Sequence, residues 1–276
     1  MKTSQPIGIF DSGIGGLTVA SDISKYLPNE DIIYFGDTAH LPYGDKSTQT
    51  IQSYSKRIVE FLLEKKCKAI VVACNSASSM AFDFLAENFS EKCLLFNVID
   101  PITDSIIKNK SIKKVGVIGT KATIYSGIYE NILKEHRSDL VVASLSTPLL
   151  APMVESGYFN NKISRTIIEN YLKYPDFENI DGLILACTHY PLIKNDIKKV
   201  VGNNIQLFDS TDFLADQLKE NLSKNKILNT SKTKGKTSFF VSDWTESFAE
   251  TASIFYGKEI KLELAQIFRN SKNEIF

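Results

Sequence analysis

The stretch 69-AIVVACNSASS-79 decides the fold of this chain. Its first five residues, 69–73, are small or β-branched apolar residues, a composition typical of a strand buried on both faces of a parallel sheet. The run ends at a thiol, an amide and a hydroxyl, 74-CNS-76. A second stretch, 182-GLILACTH-189, repeats the pattern and places Cys187 after its own apolar run. The sequence therefore predicts an α/β fold in which two equivalent strands each carry a thiol at the carboxyl end.

Composition limits the classes of protein that fit. The 276 residues suffice for one large domain or two ordinary ones, and 43% are hydrophobic. Because 32 basic residues balance 32 acidic ones, no net field favours nucleic acid or a membrane as a partner. No leader or apolar run of about 18 residues is visible, so we expect a cytoplasmic protein whose four cysteines are thiols.

The two halves of the chain open in the same way. The segment 115-VGVIGT-120 resembles 7-IGIFDS-12 position by position, and each half carries an Ala-Cys strand further on. This predicts two pseudo-symmetric α/β domains with mainly parallel sheets, of flavodoxin-like or related topology, and an active site in the cleft between them. We expect a discontinuous first domain, 1–99 plus 209–276, and a second domain, 100–208.

Apolar periodicity predicts the other elements. Ser242 or Asp243 is expected to cap a late helix that runs to Tyr256, and the Lys-rich segment 224–236 is expected to be a solvated loop rather than a nucleic-acid-binding patch. The remaining predicted helices begin at 17, follow Leu192, or cover 47–65, 76–88 and 123–136. The remaining predicted strands cover 31–35, 94–99, 205–208 and 239–241, with a last strand or short helix in 258–276.

Several polar side chains follow predicted strands or fixed turns. Asp11 comes at the end of the first strand, where a carboxylate points toward the usual ligand crevice of an open α/β sheet. The turn 42-PYG-44 presents backbone N–H groups and a phenol. Glu155 ends the segment 148-PLLAPMVE-155, where it is either a solvated residue at the start of a helix or a carboxylate of the site.

The thiols allow several interpretations. Cys67 and Cys93 lack polar neighbours and are expected to be structural. For the other two cysteines, a redox disulfide has no specific support without a Cys-x-x-Cys pair. A zinc site remains an alternative, with ligands drawn from Cys74, Cys187, His189 and Asp11.

A further interpretation uses the symmetry of the two cysteines. A reaction that inverts a carbon centre by proton transfer needs a base on one face and an acid on the other, and matched thiols across a cleft supply both. An ordinary thiol, with a pKa near 8.5, suits the donor, whereas the acceptor must be a thiolate. A helix N-terminus after each cysteine, or a nearby histidine, would favour that form.

Five motifs together resemble the glutamate racemases, within the cofactor-independent Asp/Glu racemase family. They are GIFDSGIGGLTV from Gly8, GDTAHLPYG from Gly36, VVACNSAS from Val71, PLLAPMVE from Pro148 and ACTHYPLI from Ala186. The resemblance spans residues 7–210. It implies interconversion of L- and D-glutamate without cofactor or metal, a supply of D-glutamate for peptidoglycan, and a homodimer.

The resemblance also implies roles for particular residues. Cys74 would exchange a proton with D-glutamate and Cys187 with the L enantiomer, while Asp11 and His189 assist and Glu155 lies near the site. One departure is Ser76, where the family usually has Thr. The expected substrate-binding residues are Asp11, Ser12, Pro42, Tyr43, Gly44, Asn75, Ser76, Thr120, Thr188 and His189.

Other functions stay open at this point. An aspartate racemase of the same family would share the motifs. A metal-dependent hydrolase would use the same Cys, His and Asp side chains as ligands, and a non-catalytic protein would bind the amino acid without chemistry. Pyridoxal phosphate is compatible with the many lysines, but no single lysine stands in a site-like loop and the resemblance implies that none is needed.

Overall fold

The computed structural model describes residues 1–268, and its strands form two sheets. In chain order the strands are β1 Ile7–Asp11, β2 Ile32–Gly36, β3 Ala69–Val72, β4 Leu94–Asn97, β5 Lys114–Gly119, β6 Val141–Ser146, β7 Gly182–Ala186, β8 Gln206–Phe208, β9 Thr237–Val241 and β10 Leu262–Leu264. The helices are α1 Leu17–Tyr26, α2 Thr48–Glu64, α3 Asn75–Phe89, α4 Asp100–Lys108, α5 Lys121–Tyr125, α6 Ile128–His136, α7 Leu150–Glu155, α8 Lys162–Leu172, α9 Lys194–Val201, α10 Leu214–Lys224 and α11 Glu246–Tyr256.

The two sheets repeat one topology. The first sheet has the order β10-β9-β2-β1-β3-β4 and the second has the order β6-β5-β7-β8, with parallel pairing throughout the described residues. Strands β1 to β4 and β5 to β8 therefore follow the same doubly wound order, so β1 corresponds to β5 and β3 to β7. The prediction of an α/β fold with mainly parallel sheets is confirmed.

The two cysteine strands are buried on both faces because each serves two cores. On β3, Ala69 and Val71 pack into one apolar cluster, whereas Ile70 and Val72 pack into another. On β7 the side chains alternate in the same way between two clusters. Burial on both faces explains why these strands read as unbroken apolar runs rather than as alternating sequences.

Three of the differences from the predicted element boundaries have a clear physical cause. The helix expected over 123–136 is two helices, α5 and α6, because Gly127 between them has a left-handed φ of 67°. The strand expected over 94–99 ends at Asn97, whose Oδ1 accepts the N–H groups of Ile99 and Asp100 at 2.8 Å and so starts α4. The cap of α11 is Thr245, whose hydroxyl accepts the N–H of Phe248 at 3.2 Å, rather than Ser242 or Asp243.

The first sheet is built from two separate parts of the chain, and the second sheet from the part between them. The first sheet uses strands within 7–97 and 237–264, and the second uses strands within 114–208. The exact domain boundaries stay a prediction, and the expected end of the first domain, 269–276, lies outside the described residues. The segment 225–236 is a loop, as predicted. Within residues 1–268, every helix is too short or too polar to cross a membrane.

Candidate active site

A cavity of about 280 Å³ lies where the carboxyl ends of the two sheets meet. Strands β1 and β3 contribute to it from the first sheet, and β5 and β7 from the second. Its volume is at the lower end of the range for small-molecule sites, as suits a ligand of amino-acid size. The lining residues are Ser12, Leu41, Pro42, Cys74, Asn75, Ser76, Thr120, Ala151, Pro152, Glu155, Cys187, Thr188 and His189.

Cys74 stands at the end of β3 and caps α3. Its thiol is 5% exposed and donates to the Ser12 hydroxyl at 3.5 Å. Burial, followed by the nearby Asp11 carboxylate, raises the pKa of Cys74 to about 12, although hydrogen bonding with Ser12 and with the Ala77 N–H acts in the opposite direction. This cysteine is therefore a protonated thiol at neutral pH.

Asp11 lies beneath the cavity rather than on its surface. It is fully buried and its carboxylate accepts the Gly13 N–H at 3.1 Å and the Thr188 hydroxyl at 3.4 Å. Burial raises the pKa of Asp11, and this effect exceeds the lowering by His189 and by backbone N–H groups. Asp11 thus bonds to two loops, one that follows β1 of the first sheet and one that follows β7 of the second.

Cys187 is the first member of a chain of three interacting side chains. Its Sγ lies 3.6 Å from Nδ1 of His189, and Nε2 of His189 lies 2.7 Å from the Glu155 carboxylate. Burial alone would lower the pKa of His189, but Cys187 and Glu155 raise it well above its ordinary value. An imidazolium at this position stabilises a thiolate. Glu155 is the last residue of α7, so it is not the solvated residue at a helix start that one interpretation expected.

Neutral hydrogen-bonding groups form another wall of the cavity. The hydroxyls of Ser76 and Thr120 are 2.8 Å apart. The Asn75 Oδ1 accepts the phenol of Tyr129 at 2.8 Å, while Nδ2 of Asn75 is buried without a hydrogen-bond partner in residues 1–268. This wall offers donors to an anionic group without adding a fixed positive charge.

The loop after β2 contributes fewer groups to the cavity than expected. Pro42 lines it, but the Tyr43 phenol turns away and donates to Asp37 at 2.6 Å. Gly44 packs on Thr120, since a Cβ at Gly44 would come within 2.9 Å of the Thr120 Cβ. Asp11, Tyr43 and Gly44 are therefore absent from the described lining, and direct substrate contact by them stays a prediction.

Some lining residues were not anticipated. Leu41, Ala151 and Pro152 lie inside motifs that the sequence singled out, but their apolar side chains carry no sign of chemistry. Tyr129 lies in α6, outside every motif, and no sequence signal connects it with Asn75. The alternative metal ligands are also not assembled: within residues 1–268, no group of three or more His, Cys, Asp or Glu side chains is arranged to hold an ion.

Comparison with known proteins identifies relatives along most of the chain. The family model described as Asp/Glu/Hydantoin racemase matches residues 15–218. The chain is 38% identical over 260 residues to a glutamate racemase of Chlorobaculum parvum, an alignment that covers 94% of this chain and 95% of that protein.

Solved structures give the same result. The fold is similar to a glutamate racemase from Francisella tularensis in complex with D-glutamate, with a TM-score of 0.89, 37% identity and coverage of 96% of this chain and 99% of that one. It is also similar to a glutamate racemase from Thermus thermophilus in complex with β-chloro-D-alanine, with a TM-score of 0.86, 34% identity and coverage of 96% and 98%.

Proposed function

The chain belongs to the Asp/Glu/hydantoin racemase family and is an isomerase, and from this premise we propose that it interconverts L- and D-glutamate by proton transfer between Cys74 and Cys187. The observation that carries the proposal is that both cysteines line one cavity from corresponding strand ends. Glutamate is the substrate named for relatives with 37–38% identity. Its product D-glutamate would supply peptidoglycan.

The charge environment suggests which cysteine acts first. The Nδ1 atom of His189 lies 3.6 Å from the Sγ of Cys187 and can stabilise negative charge there, whereas burial raises the pKa of Cys74 to about 12 and keeps it a thiol. The Cys187 thiolate takes the α-proton of L-glutamate, so that the Cα–H bond breaks and its electron pair remains on Cα. The Cys74 thiol then donates its proton to the opposite face. The product is D-glutamate, with a thiolate at Cys74 and a thiol at Cys187.

The substrate brings its own charges into the site. Two carboxylates and an ammonium group need oriented donors and acceptors more than added ions. Asn75, Ser76, Thr120 and Thr188 offer neutral polar groups along the cavity wall. Two carboxylates are close by: we expect Asp11, whose charge raises the pKa of Cys74, to assist on that side, and Glu155 to assist on the Cys187 side through His189.

The test combines racemisation with exchange of the α-hydrogen in deuterated water. Wild-type enzyme without added cofactor should racemise both enantiomers, as followed by circular dichroism, and should incorporate deuterium at Cα. Changing Cys74→Ser or Cys187→Ser should each lower racemisation by about 10³-fold, because one of the two proton-transfer groups is lost.

Exchange of the α-hydrogen with deuterated water distinguishes a mechanism with two bases from a mechanism with a single base. The Cys74→Ser variant should retain exchange only on L-glutamate, and the Cys187→Ser variant only on D-glutamate. Cys67→Ser, which changes a buried thiol outside the cavity, is the control and should racemise normally. Full racemisation by either active-site variant would refute the two-cysteine mechanism.

The rival functions predict different measurements. An aspartate racemase would show the higher kcat/KM on aspartate. A metal-dependent hydrolase would carry stoichiometric metal and lose activity with a chelator. We further propose that the enzyme is a homodimer with the domain division 1–99 plus 209–276 and 100–208, which sedimentation and limited proteolysis would test.

A further inference from the structure

The amide of Asn75 is held at one end and unpaired at the other. Its Oδ1 accepts the Tyr129 phenol at 2.8 Å. Its Nδ2 is buried and has no hydrogen-bond partner among residues 1–268. Asn75 is 2% exposed and lines the cavity, so this nitrogen is a buried donor at the cavity wall without a protein acceptor in residues 1–268. A buried unpaired donor is costly unless a ligand satisfies it.

Tyr129 determines which end of that amide faces the cavity. The two ends of an amide are nearly equal in shape, so packing alone would permit either orientation. Burial raises the pKa of Tyr129, so its phenol keeps a proton that needs an acceptor. Within residues 1–268, Oδ1 of Asn75 is the acceptor that it has. If the Asn75 amide were turned by 180°, its N–H₂ group would face the Tyr129 O–H. Two donors would then oppose one another, and the phenol proton would have no acceptor.

We propose that Tyr129 is a positioning residue for substrate binding: its phenol fixes the Asn75 amide so that Nδ2 points into the cavity and donates to a substrate carboxylate. The inference rests on the proposed function, which supplies the carboxylate as part of glutamate. Tyr129 does not line the cavity itself and acts through Asn75.

The contact also joins the two halves of the molecule. Tyr129 belongs to α6, beside the second sheet, and Asn75 begins α3, beside the first sheet. Next to it, the Ser76 hydroxyl is paired with Thr120 from the second half at 2.8 Å. Both donors after Cys74 are therefore oriented by residues from the opposite half, so the carboxylate site forms only when the halves are together.

The change Tyr129→Phe removes a single oxygen and keeps the ring. The Asn75 amide then loses the group that orients it and can present Oδ1 to the carboxylate. KM for both enantiomers should rise about tenfold, the equivalent of one hydrogen bond. The kcat value should stay within about twofold, because the carboxylate is bound equally in the ground state and the transition state.

Steady-state racemisation of each enantiomer, followed by circular dichroism, measures this split between KM and kcat. The matched control is Tyr256→Phe, since that buried phenol is bonded to Ser24 at 3.2 Å and does not line the cavity. The control should leave KM unchanged. Thermal melting of both variants verifies that they fold.

A double variant separates positioning from general packing. If Tyr129 acts through Asn75, adding Tyr129→Phe to Asn75→Ala should not change KM further. An unchanged KM in Tyr129→Phe, or a further tenfold loss in the Asn75→Ala background, would overturn the inference. Calorimetric binding of L-glutamate in a Cys74→Ser/Cys187→Ser background gives the same ratios without turnover. A wild-type protein that binds but does not racemise would therefore contradict only the proposed function.

Discussion

The two cysteines of the cavity occupy corresponding positions but lie in different electrostatic surroundings. Cys74 is next to the buried carboxylate of Asp11, and Cys187 is next to the His189–Glu155 pair. In water the two enantiomers of glutamate have equal free energies, so kcat/KM must be equal in the two directions for the wild type and for every variant. The asymmetry of the site can therefore appear only in kcat and KM taken separately.

Replacing a buried carboxylate by an amide should change thermal stability in opposite directions at Asp11 and at Asp37. Asp11→Asn should raise Tm at pH 7, by about 2–4 °C for each kcal/mol gained, because burial disfavours its charged form. Asp37→Asn should lower Tm, because that carboxylate accepts hydrogen bonds from Tyr43 and Ser242 at 2.6 Å and contacts His40 at 2.8 Å. Calorimetry of both variants makes the comparison.

The gain from Asp11→Asn should depend on pH. The folded-state pKa of Asp11 is raised above its ordinary value of 3.8, so its contribution to stability is fully present below that value and is lost as pH rises through the folded pKa. The Tm difference between wild type and variant should therefore vanish near pH 4 and grow toward neutrality. A difference that is constant with pH would contradict this account.

Residue types and their order predicted most of the cavity, but not how each side chain is oriented. Cys74, Cys187, His189 and Thr188 could be located from sequence because each directly follows an apolar strand that ends at the cleft. The orientation of Asp11 depends on contacts across the two halves. Tyr129 could not be found, because its partner lies 54 positions away in another element.

At the scale of elements, two loops from opposite sheets meet under the cavity. The Thr18 hydroxyl in α1 donates to the Thr188 backbone carbonyl at 3.2 Å. A Cβ at Gly15 would come within 2.6 Å of Cε1 of His189 and would also meet the Thr188 side chain. The absence of a side chain at Gly15 thus allows the loop after β1 to support the loop after β7.

Gly15→Ala should consequently displace His189 and Thr188. We expect kcat/KM to fall about 100-fold, because a displacement of about 1 Å at a group that takes part in the reaction has an effect on this scale. Gly13→Ala in the same loop is the control, because its Cβ would meet only Leu41, at 3.4 Å. Racemisation assays and thermal melts of both variants test this. Equal activities of the two variants would show that the contact under His189 is unimportant.

Elements were predicted well where the local sequence alone determines them. Strands β3 and β7 have complete apolar runs, and both were confirmed. The helix break at Gly127 was missed because the apolar pattern continues through it, and only the positive φ interrupts the helix. The prediction for the cap of α11 was wrong. Ser242 bonds to Asp37 and Ala39 instead, and such tertiary contacts do not appear in local sequence patterns.

At the scale of the whole molecule, a buried ion pair ties distant segments together at the amino end of β3. The Lys68 ammonium donates to Glu30 and to the Thr3 carbonyl at 2.6 Å, and to the Ile227 carbonyl at 2.8 Å. Glu30 in turn accepts the Asn229 N–H at 2.8 Å. The pair thereby holds the chain where it returns from the second sheet to the first.

Lys68→Met should destabilise the protein by about 3–5 kcal/mol, because Glu30 would remain buried without its cation. Urea unfolding measures the loss, and adding Glu30→Gln should recover part of it by removing the charge. Lys134→Met, in the exposed pair with Glu130, is the control and should change stability by less than about 1 kcal/mol. Equal losses in the two single variants would refute the special role of the buried pair.

The return of the chain to the first sheet also matters during translation. Strand β9 pairs with β2, yet about 200 residues separate the two strands. At about 5–20 residues per second, a ribosome needs about 10–40 s to synthesise that interval. Throughout this time the outer edge of β2 has no neighbour, and an unpaired apolar strand edge can pair with another nascent chain. The second sheet, by contrast, is encoded without interruption, so it can be completed on the ribosome before the sheet that precedes it.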